Sequence, residues 1–214
     1  MKILAIDTTS NICSTALLED DKKIDENTIN NGLTHSENLM PLIAELLKRN
    51  KLNLSQINLI TVCVGPGSFT GIRIGIASVK AMAEVYKIPV AEVTSLESLA
   101  KSVTKNETIV ALIDARNNQV YSGIFDENIK LKEEYMADDI NIILQKVEKY
   151  QNIIFVGNGA ILHKELINQK IKNAEFAENN NQNAYFVGLV GFEKFKNNEL
   201  KDADNVLPIY LRKR

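Results

Sequence analysis

Short apolar runs alternate along the chain with longer segments in which apolar residues recur at the spacing of a helix. In the first half, apolar runs bounded by polar or turn-forming residues predict buried strands. Apolar residues three and four positions apart predict the intervening helices. The predicted strands are 2–6, 13–18, 24–29, 58–64 and 88–93, and the predicted helices are about 36–49, 70–87 and 94–103.

The second half repeats this order. In both halves three strands precede a helix, a strand and another helix, and the first strand ends on an aspartate, Asp7 or Asp114. The halves share little sequence, so the repeat is one of pattern. We predict two lobes, residues 1–104 and 105–214. The later strands are predicted at 108–113, 120–125, 129–135 and 153–156, and the helices at 140–147, 160–169 and 184–195.

Alternating strands and helices imply a mixed, mostly buried sheet in each lobe. A duplicated lobe of this order is the plan of the actin, hexokinase and sugar-kinase group, whose members close two lobes around a nucleotide. The predicted fold class is therefore α/β, a duplicated two-lobed actin/hexokinase-like (ASKHA) fold with mixed β-sheets flanked by helices.

Two helix starts carry the spacing of a capping box. Thr34 precedes Glu37 by three residues at the first long helix, and Thr94 precedes Glu97 in the same way at the short one. Pro41 lies beyond the first turn of the first helix. Because proline lacks the amide hydrogen that an inner turn needs, we expect it to kink the helix or to move its start later.

The overall charge of −2 argues against a protein whose main task is to grip nucleic acid. Cys13 and Cys63 each lie within an apolar run, which predicts buried thiols in a reducing compartment rather than a disulfide framework. We recognise no signal peptide and no apolar stretch of the about 20 residues that a membrane span needs. We therefore expect a cytoplasmic protein without membrane contact.

The first predicted strand runs into Asp7, Thr8 and Thr9, where strand meets tight turn. In a nucleotide-binding lobe, backbone amides and hydroxyls at this place would face phosphate oxygens. Asp and Thr also occur at strand ends simply because they stabilise turns. Because Asp114 occupies the same place in the second copy, we keep both interpretations and name Asp7, Thr8, Thr9 and Asp114 as a possible remnant nucleotide site.

The segment from Gly65 to Gly71 (Gly-Pro-Gly-Ser-Phe-Thr-Gly) joins a strand to a helix N-terminus, an end that attracts anions. It lacks the lysine of a Walker A loop. Gly71, Gly75 and Ser78 fall on one helical face, where small residues let another backbone approach. We favour this packing role over phosphate binding.

The sequence offers little for metal or nucleophile chemistry. His35 and His163 have no companion ligand at metal-binding spacing, and no Gly-x-Ser-x-Gly elbow or paired Cys/His arrangement is present. We predict no metal, no cofactor and no catalytic residue.

The helices at about 36–49 and 70–87 carry more apolar positions than one buried stripe needs. A partner-binding face and a helix enclosed within a larger core both account for the surplus. The residues assigned to a partner face are Leu39, Met40, Ile43, Leu47, Ile72, Ile76, Val79 and Met82.

These motifs together resemble the TsaB (YeaZ) family, the partner subunits of bacterial tRNA threonylcarbamoyladenosine (t6A) synthesis. The resemblance is clearest at residues 3–10, 35–41, 65–75 and 93–100, with the glycine-proline segment the most specific. It is thinner at 114–116, 120–121, 157–160 and 208–212. Residues 117–119 (Asn-Asn-Gln) depart from the Gly-Glu that usually precedes the Val-Tyr pair.

The resemblance implies a non-catalytic subunit. The related catalytic subunit, TsaD, carries a His-x-x-x-His metal pair where this chain has Ser95 and Leu99. The implied partners are TsaD as a heterodimer through the two apolar helices, the ATPase TsaE joining that pair, and a second copy of the chain when TsaD is absent. TsaD would transfer the threonylcarbamoyl group to the adenosine beside the anticodon, and tRNA would be reached only through the complex.

Two other functions stay open at this point. One is an ATP-dependent phosphotransferase of the actin/hexokinase fold that uses Asp7 and Asp114. The other is a metalloprotease, which the absent histidine pair disfavours.

Overall fold

The computed structural model describes residues 1–32, 34–104 and 107–211. The chain forms two compact units. The first comprises Met1–Ser98 and Gln182–Ile209, and the second comprises Leu99–Asn181 and Tyr210–Arg214. Within the described residues no helix is both long and apolar enough to cross a bilayer.

A five-stranded mixed sheet forms the centre of the first unit. In the order β3-β2-β1-β4-β5, the first three strands are antiparallel, while β4 pairs in parallel with β1 and β5 in parallel with β4. The strands are β1 (Lys2–Asp7), β2 (Cys13–Glu19), β3 (Lys22–Ile29), β4 (Leu59–Cys63) and β5 (Val90–Val93). The helices that follow these strands are α1 (His35–Arg49), α2 (Phe69–Tyr86) and α3 (Ser95–Lys101).

The second unit repeats this sheet. Its order β8-β7-β6-β9-β10 and its strand directions match the first, so the predicted duplication is confirmed. The strands are β6 (Thr108–Asp114), β7 (Gln119–Phe125), β8 (Met136–Asp139), β9 (Ile153–Val156) and β10 (Glu175–Phe176), and the helices are α4 (Ile140–Val147), α5 (Asn158–Leu162) and α6 (Lys164–Lys170).

The last helix, α7 (Ala184–Lys196), packs on the sheet of the first unit. Gly188 lies against Leu18 and Ala5, and Gly191 lies against Thr61. The predicted second lobe, 105–214, is corrected accordingly: residues 182–209 belong to the first unit, because the α7-facing side of its sheet needs an apolar cover. The boundary predicted at 104 lies close to the observed division after Ser98.

The first sheet is therefore covered on both faces. Leu4 and Ile6 of β1 point to a core shared with α1 and α2, while the alternate residues Ile3 and Ala5 point to a core shared with α7. A strand buried on both faces is expected to be apolar at nearly every position, as β1 is.

The structure differs from the predicted elements at one strand and one helix, and it fixes the start of α1. The strand expected at 129–135 is wrong: Ile129 has a φ of 60° in a turn closed by the Asp126 carboxylate, and the third strand of the unit is β8 instead. The helix expected at 160–169 is two helices that meet at His163. Helix α1 begins at His35 and runs through Pro41, so its start is not displaced.

Both predicted capping boxes are confirmed. The Thr94 amide donates to the Glu97 carboxylate at 2.7 Å, and the Glu97 amide donates to Thr94 Oγ1 at 3.0 Å. At α1 the Thr34 amide donates to Glu37 at 2.9 Å. These bonds satisfy amide groups that a helix start otherwise leaves unpaired.

Candidate functional site

The polar loop that follows β1 begins with a buried carboxyl group. Asp7 is 1% exposed, and its Oδ1 accepts hydrogen bonds from the Thr9 amide at 2.9 Å and from Thr9 Oγ1 at 2.7 Å. Its Oδ2 is buried and has no hydrogen-bond partner among the described residues. Burial raises the pKa of Asp7, and the two bonds from Thr9 oppose that rise only in part.

Two further buried side chains extend this polar cluster. Ser95 Oγ donates to Thr9 Oγ1 at 3.0 Å, and Cys63 Sγ lies 3.2 Å from Ser95 Oγ. Burial raises the pKa of the Cys63 thiol well above its ordinary value, and the Asp7 carboxylate adds to the rise. Burial also raises the pKa of Cys13 to about 11. Both cysteines are buried free thiols, as predicted, and neither has the lowered pKa of a nucleophile.

Next to this cluster, the glycine-rich segment 65–71 contacts the backbone of Thr8 and Thr9 directly. The Ser68 amide donates to the Thr9 carbonyl at 2.7 Å. A Cβ atom at Gly67 would lie 2.2 Å from the Thr9 carbonyl oxygen, and one at Gly71 would lie 2.0 Å from the Thr8 carbonyl oxygen. No residue with a side chain fits at such distances. These contacts confirm the packing role predicted for this segment.

Thr8 is fully buried and contacts helix α2. Its Oγ1 donates to the Gly71 carbonyl at 2.7 Å, and a Cβ at Gly75 would lie 2.4 Å from that hydroxyl oxygen. The hydroxyl hydrogens of Thr8 and Thr9 are therefore both donated within the chain. Asp7, Thr8 and Thr9 lie together where β1 ends, as the sequence suggests; the Thr8 hydroxyl serves the packing against α2, and the Thr9 hydroxyl belongs to the buried polar cluster with Asp7 and Ser95.

The first residue of α1 is tied to the same loop. His35 Nε2 lies 2.8 Å from the Ser10 carbonyl, which requires that nitrogen to carry a hydrogen. His35 Nδ1 is buried, and none of the residues that the structure describes forms a hydrogen bond with it. Over the described ranges no three His, Cys, Asp or Glu side chains converge to hold a metal ion.

Asp114 occupies the equivalent position in the second unit. It is the last residue of β6, and its Oδ1 accepts from the Arg116 amide at 2.8 Å, so the turn of Asp7 is repeated. The following turn is exposed, and Arg116, Asn117 and Asn118 all have φ between 53° and 65°. Two of the three residues that depart from the family pattern, Asn117 and Asn118, therefore lie in a left-handed turn, and the third, Gln119, is the first residue of β7.

Burial changes which residues of α1 and α2 could contact a partner. Of the eight residues assigned from the sequence, Met40 is 46% exposed. The other seven lie in the core of the first unit and are 6% exposed or less: Leu39, Ile43, Leu47, Ile72, Ile76, Val79 and Met82. In this conformation a side chain in the chain's own core has no surface to offer.

Five exposed residues of α2 form a ridge at every fourth position. The "α2 ridge" is Phe69, Arg73, Ala77, Ala81 and Val85. Phe69 is 40% and Val85 73% exposed, and the Arg73 guanidinium lies 3.8 Å from the centre of the Phe69 ring. Besides its buried side, α2 therefore has an exposed side on which Phe69, Ala77, Ala81 and Val85 are apolar. The four α2 residues predicted for a partner face, Ile72, Ile76, Val79 and Met82, lie on the opposite, buried side of the helix.

A family model described as "TsaD: tRNA N6-adenosine threonylcarbamoyltransferase" matches residues 30–208 of the chain. The "tRNA threonylcarbamoyladenosine biosynthesis protein TsaB" of Bacillus subtilis is 33% identical over 99% of this chain and 94% of that protein. The chain belongs to the TsaB family. YeaZ from Pseudomonas aeruginosa is similar in structure, with a TM-score of 0.80 and 26% identity over 98% of this chain and 100% of that one.

The predicted fold class is also confirmed. A Bacteroides thetaiotaomicron protein described as having an actin-like ATPase fold superposes with a TM-score of 0.50, covering 88% of this chain and 95% of that one. At 11% identity this likeness concerns the fold alone. The two positions at which the resemblance places metal ligands in TsaD hold Ser95 and Leu99, which are buried on α3.

Proposed function

We propose that this chain is a non-catalytic scaffold subunit that binds TsaD and supports threonylcarbamoyl transfer to the adenosine beside the anticodon of tRNA. Curated members of its family are named for this pathway, tRNA threonylcarbamoyladenosine biosynthesis. The observation that carries the proposal is the α2 ridge, an exposed and largely apolar face of α2; Met40 of α1 is exposed as well.

The shape of the ridge suits a helix of a partner protein. Ala77 and Ala81 lie at its centre, and small side chains let a second helix approach closely. Phe69 and Val85 lie toward its two ends, where larger apolar groups can enter a partner's grooves. Arg73 stacks on Phe69 and places a planar cation on the ridge.

The same proposal covers the remaining partners. TsaE joins the pair with TsaD, and a second copy of the chain occupies the α2 ridge when TsaD is absent. The overall charge of −2 makes this chain a poor primary contact for the phosphate backbone, so tRNA is reached through the complex, in the cytoplasm. The buried, protonated Cys63 is not available as a nucleophile.

The test is light scattering with size-exclusion chromatography on the chain alone and after mixing with TsaD from the same source. We expect a homodimer that exchanges into a heterodimer. The double variant Ala77→Glu, Val85→Asp should be monomeric alone and should not bind TsaD. Ile142→Glu, which changes an exposed isoleucine of α4, is the matched control and should behave as wild type. A double variant that copurifies with TsaD at wild-type yield would refute the proposal.

A second candidate is an ATP-dependent phosphotransferase. Asp7 and Asp114 at the same position of the two sheets, each closing the same turn, favour it. The hydroxyl groups of Thr8 and Thr9 both donate hydrogen bonds within the chain, which argues against it. Calorimetric titration with Mg-ATP, followed by a turnover assay, separates the two candidates. Binding lost in both Asp7→Asn and Asp114→Asn, together with turnover, would favour the phosphotransferase.

A further inference from the structure

Over the length of one helical turn, α2 packs against one residue, Thr8, of the loop after β1 (residues 7–10, the "β1 loop"). Gly71 and Gly75, four residues apart, both present bare backbone to Thr8. The Thr8 carbonyl oxygen occupies the space of a Cβ at Gly71, and its hydroxyl group occupies that of a Cβ at Gly75. The hydroxyl also donates to the Gly71 carbonyl at 2.7 Å. Thr8 therefore limits how closely this turn of α2 can approach the end of β1.

The loop that carries Thr8 is itself held rigidly. Asp7 Oδ1 accepts two hydrogen bonds from Thr9, and the Thr9 carbonyl accepts one from Ser68 just before α2 begins. Ser10 accepts from His35 at the first residue of α1. The four residues from Asp7 to Ser10 thus contact the beginnings of both helices.

The buried and exposed sides of α2 move together because a helix is stiff over 18 residues. A displacement that begins at Gly75 carries the whole α2 ridge with it. It also changes the position of the ridge relative to Met40 on α1. Shape complementarity at a helix–helix interface is sensitive to shifts of this kind, because side chains of one helix must enter the grooves of the other.

We propose that Thr8 is a positioning residue for partner docking: through Gly71 and Gly75 it sets the place of the α2 ridge that a partner helix contacts. This inference rests on the proposed function, because it takes the α2 ridge as the docking surface. It assigns to the β1 loop a task that requires no nucleotide.

The test is a pair of substitutions that create and then relieve one clash. In Gly75→Ala the new Cβ meets Thr8 Oγ1 at 2.4 Å, whereas Thr8 Cβ lies at 3.7 Å, an ordinary contact distance. Adding Thr8→Ala removes the hydroxyl oxygen and leaves only the ordinary contact. We expect Gly75→Ala to weaken self-association and TsaD binding at least tenfold, and Thr8→Ala, Gly75→Ala to recover to within about threefold of Thr8→Ala alone, as expected for coupled sites.

Gly191→Ala is the matched control. Its new Cβ would lie 2.1 Å from Thr61 Cγ2, so it makes a clash of the same kind between α7 and the sheet. That contact lies in the core shared with α7, away from α2. Binding is compared at a temperature at which circular dichroism shows equal folded fractions. A general loss of stability would affect both variants alike, whereas the positioning role predicts weaker binding for Gly75→Ala only.

A second variant keeps the test decisive if Gly75→Ala does not fold. Thr8→Val retains the shape of the side chain but removes the hydrogen bond to Gly71, and we expect binding to weaken about threefold at an unchanged folded fraction. Unchanged binding in both Thr8→Val and Gly75→Ala would overturn the inference, as would equal weakening in Gly191→Ala. If Ala77→Glu, Val85→Asp also binds normally, the docking surface itself is wrong. If that double variant alone loses binding, only the positioning role fails.

Discussion

The loop after β1 and the loop after β6 begin with the same turn and reach opposite environments. In each, an aspartate at the strand end accepts a hydrogen bond from the amide two residues later. Thr9 lies in a buried polar cluster, whereas Arg116 lies exposed in a left-handed turn. The local motif therefore sets the turn, and the segment packed over it decides whether the turn becomes core or surface.

The packed segments differ in a specific way. In the first unit, Gly67, Gly71 and Gly75 bring a helix of 18 residues down onto Thr8 and Thr9. In the second unit, Gly157 and Gly159 approach β6 at Leu112, and the two helices that follow have 5 and 7 residues. A long helix can bury a loop and present an exposed ridge on its other side. The short helices α5 and α6 are not long enough to bury a loop on one side and present such a ridge on the other.

The largest expected effect comes from the closest of these contacts. Gly71→Ala places a Cβ 2.0 Å from a buried carbonyl oxygen and should destabilise the first unit by about 3 kcal/mol or more. Gly159→Ala makes its nearest contacts at 3.0 Å, and the loss should be about 1 kcal/mol. Urea unfolding of both variants measures the difference. Equal losses would mean that the two glycine segments pack equivalently.

Asp7 should make stability depend on pH. Its pKa is raised in the folded state, so between the ordinary value of 3.8 and the folded pKa the unfolded chain releases a proton that the folded chain retains. The retained proton stabilises the folded state. This stabilisation is complete at low pH and is lost as pH rises, and the free energy of unfolding changes by at most about 1.4 kcal/mol per pH unit. Asp7→Asn should abolish it, as urea midpoints from pH 3 to pH 8 would reveal. An unchanged profile would contradict burial as the dominant influence.

Asp25 serves as the opposite control for that experiment. The bonded Arg49 guanidinium lowers the pKa of Asp25 to about 2. Its contribution is therefore present above the ordinary pKa and is lost as pH falls toward 2. Asp25→Asn should therefore lower stability at every pH above this acidic range and remove the pH slope only within it, and should leave the slope attributed to Asp7 intact.

Thr9 and Arg116, each two positions after the aspartate of its loop, should differ in how much they contribute to stability. Thr9→Val keeps the shape of the side chain but removes the donor to Asp7 and the acceptor of Ser95, at a cost of about 2 kcal/mol. Arg116→Ala should change stability by less than about 0.5 kcal/mol, because the side chain is exposed. Thermal unfolding checks both. A large effect at Arg116 would mean that the second loop is packed in solution.

The smallest expected effect tests the left-handed turn. Asn117 has a φ of 53°, a conformation that glycine adopts without strain. Asn117→Gly should therefore leave the melting temperature within about 1 °C of wild type, because relief of strain offsets the added freedom of the unfolded chain. Thr9→Gly provides the contrast in the first loop. A clear loss of stability on Asn117→Gly would show that the asparagine side chain makes contacts that hold the turn.

What could be read from the sequence was local. The duplicated order of strands and helices, both capping boxes, the buried thiols and the packing role of the glycine segment depend on neighbours within a few residues or on a repeating period. The strand predicted at 129–135 failed because a turn at Ile129 interrupts an otherwise strand-like pattern, while the four half-buried residues of β8 show little alternation.

Tertiary structure decided three things that the local pattern could not. Helix α7 follows the second copy in sequence but covers the first sheet, because that sheet has two apolar faces and α1 and α2 cover only one. Thr8 became the support of α2 because two glycines distant in sequence meet it. Seven of the eight residues chosen for a partner face lie in the core. Periodicity shows that a helix has an apolar side, but which apolar residues meet solvent depends on what the fold places against each side.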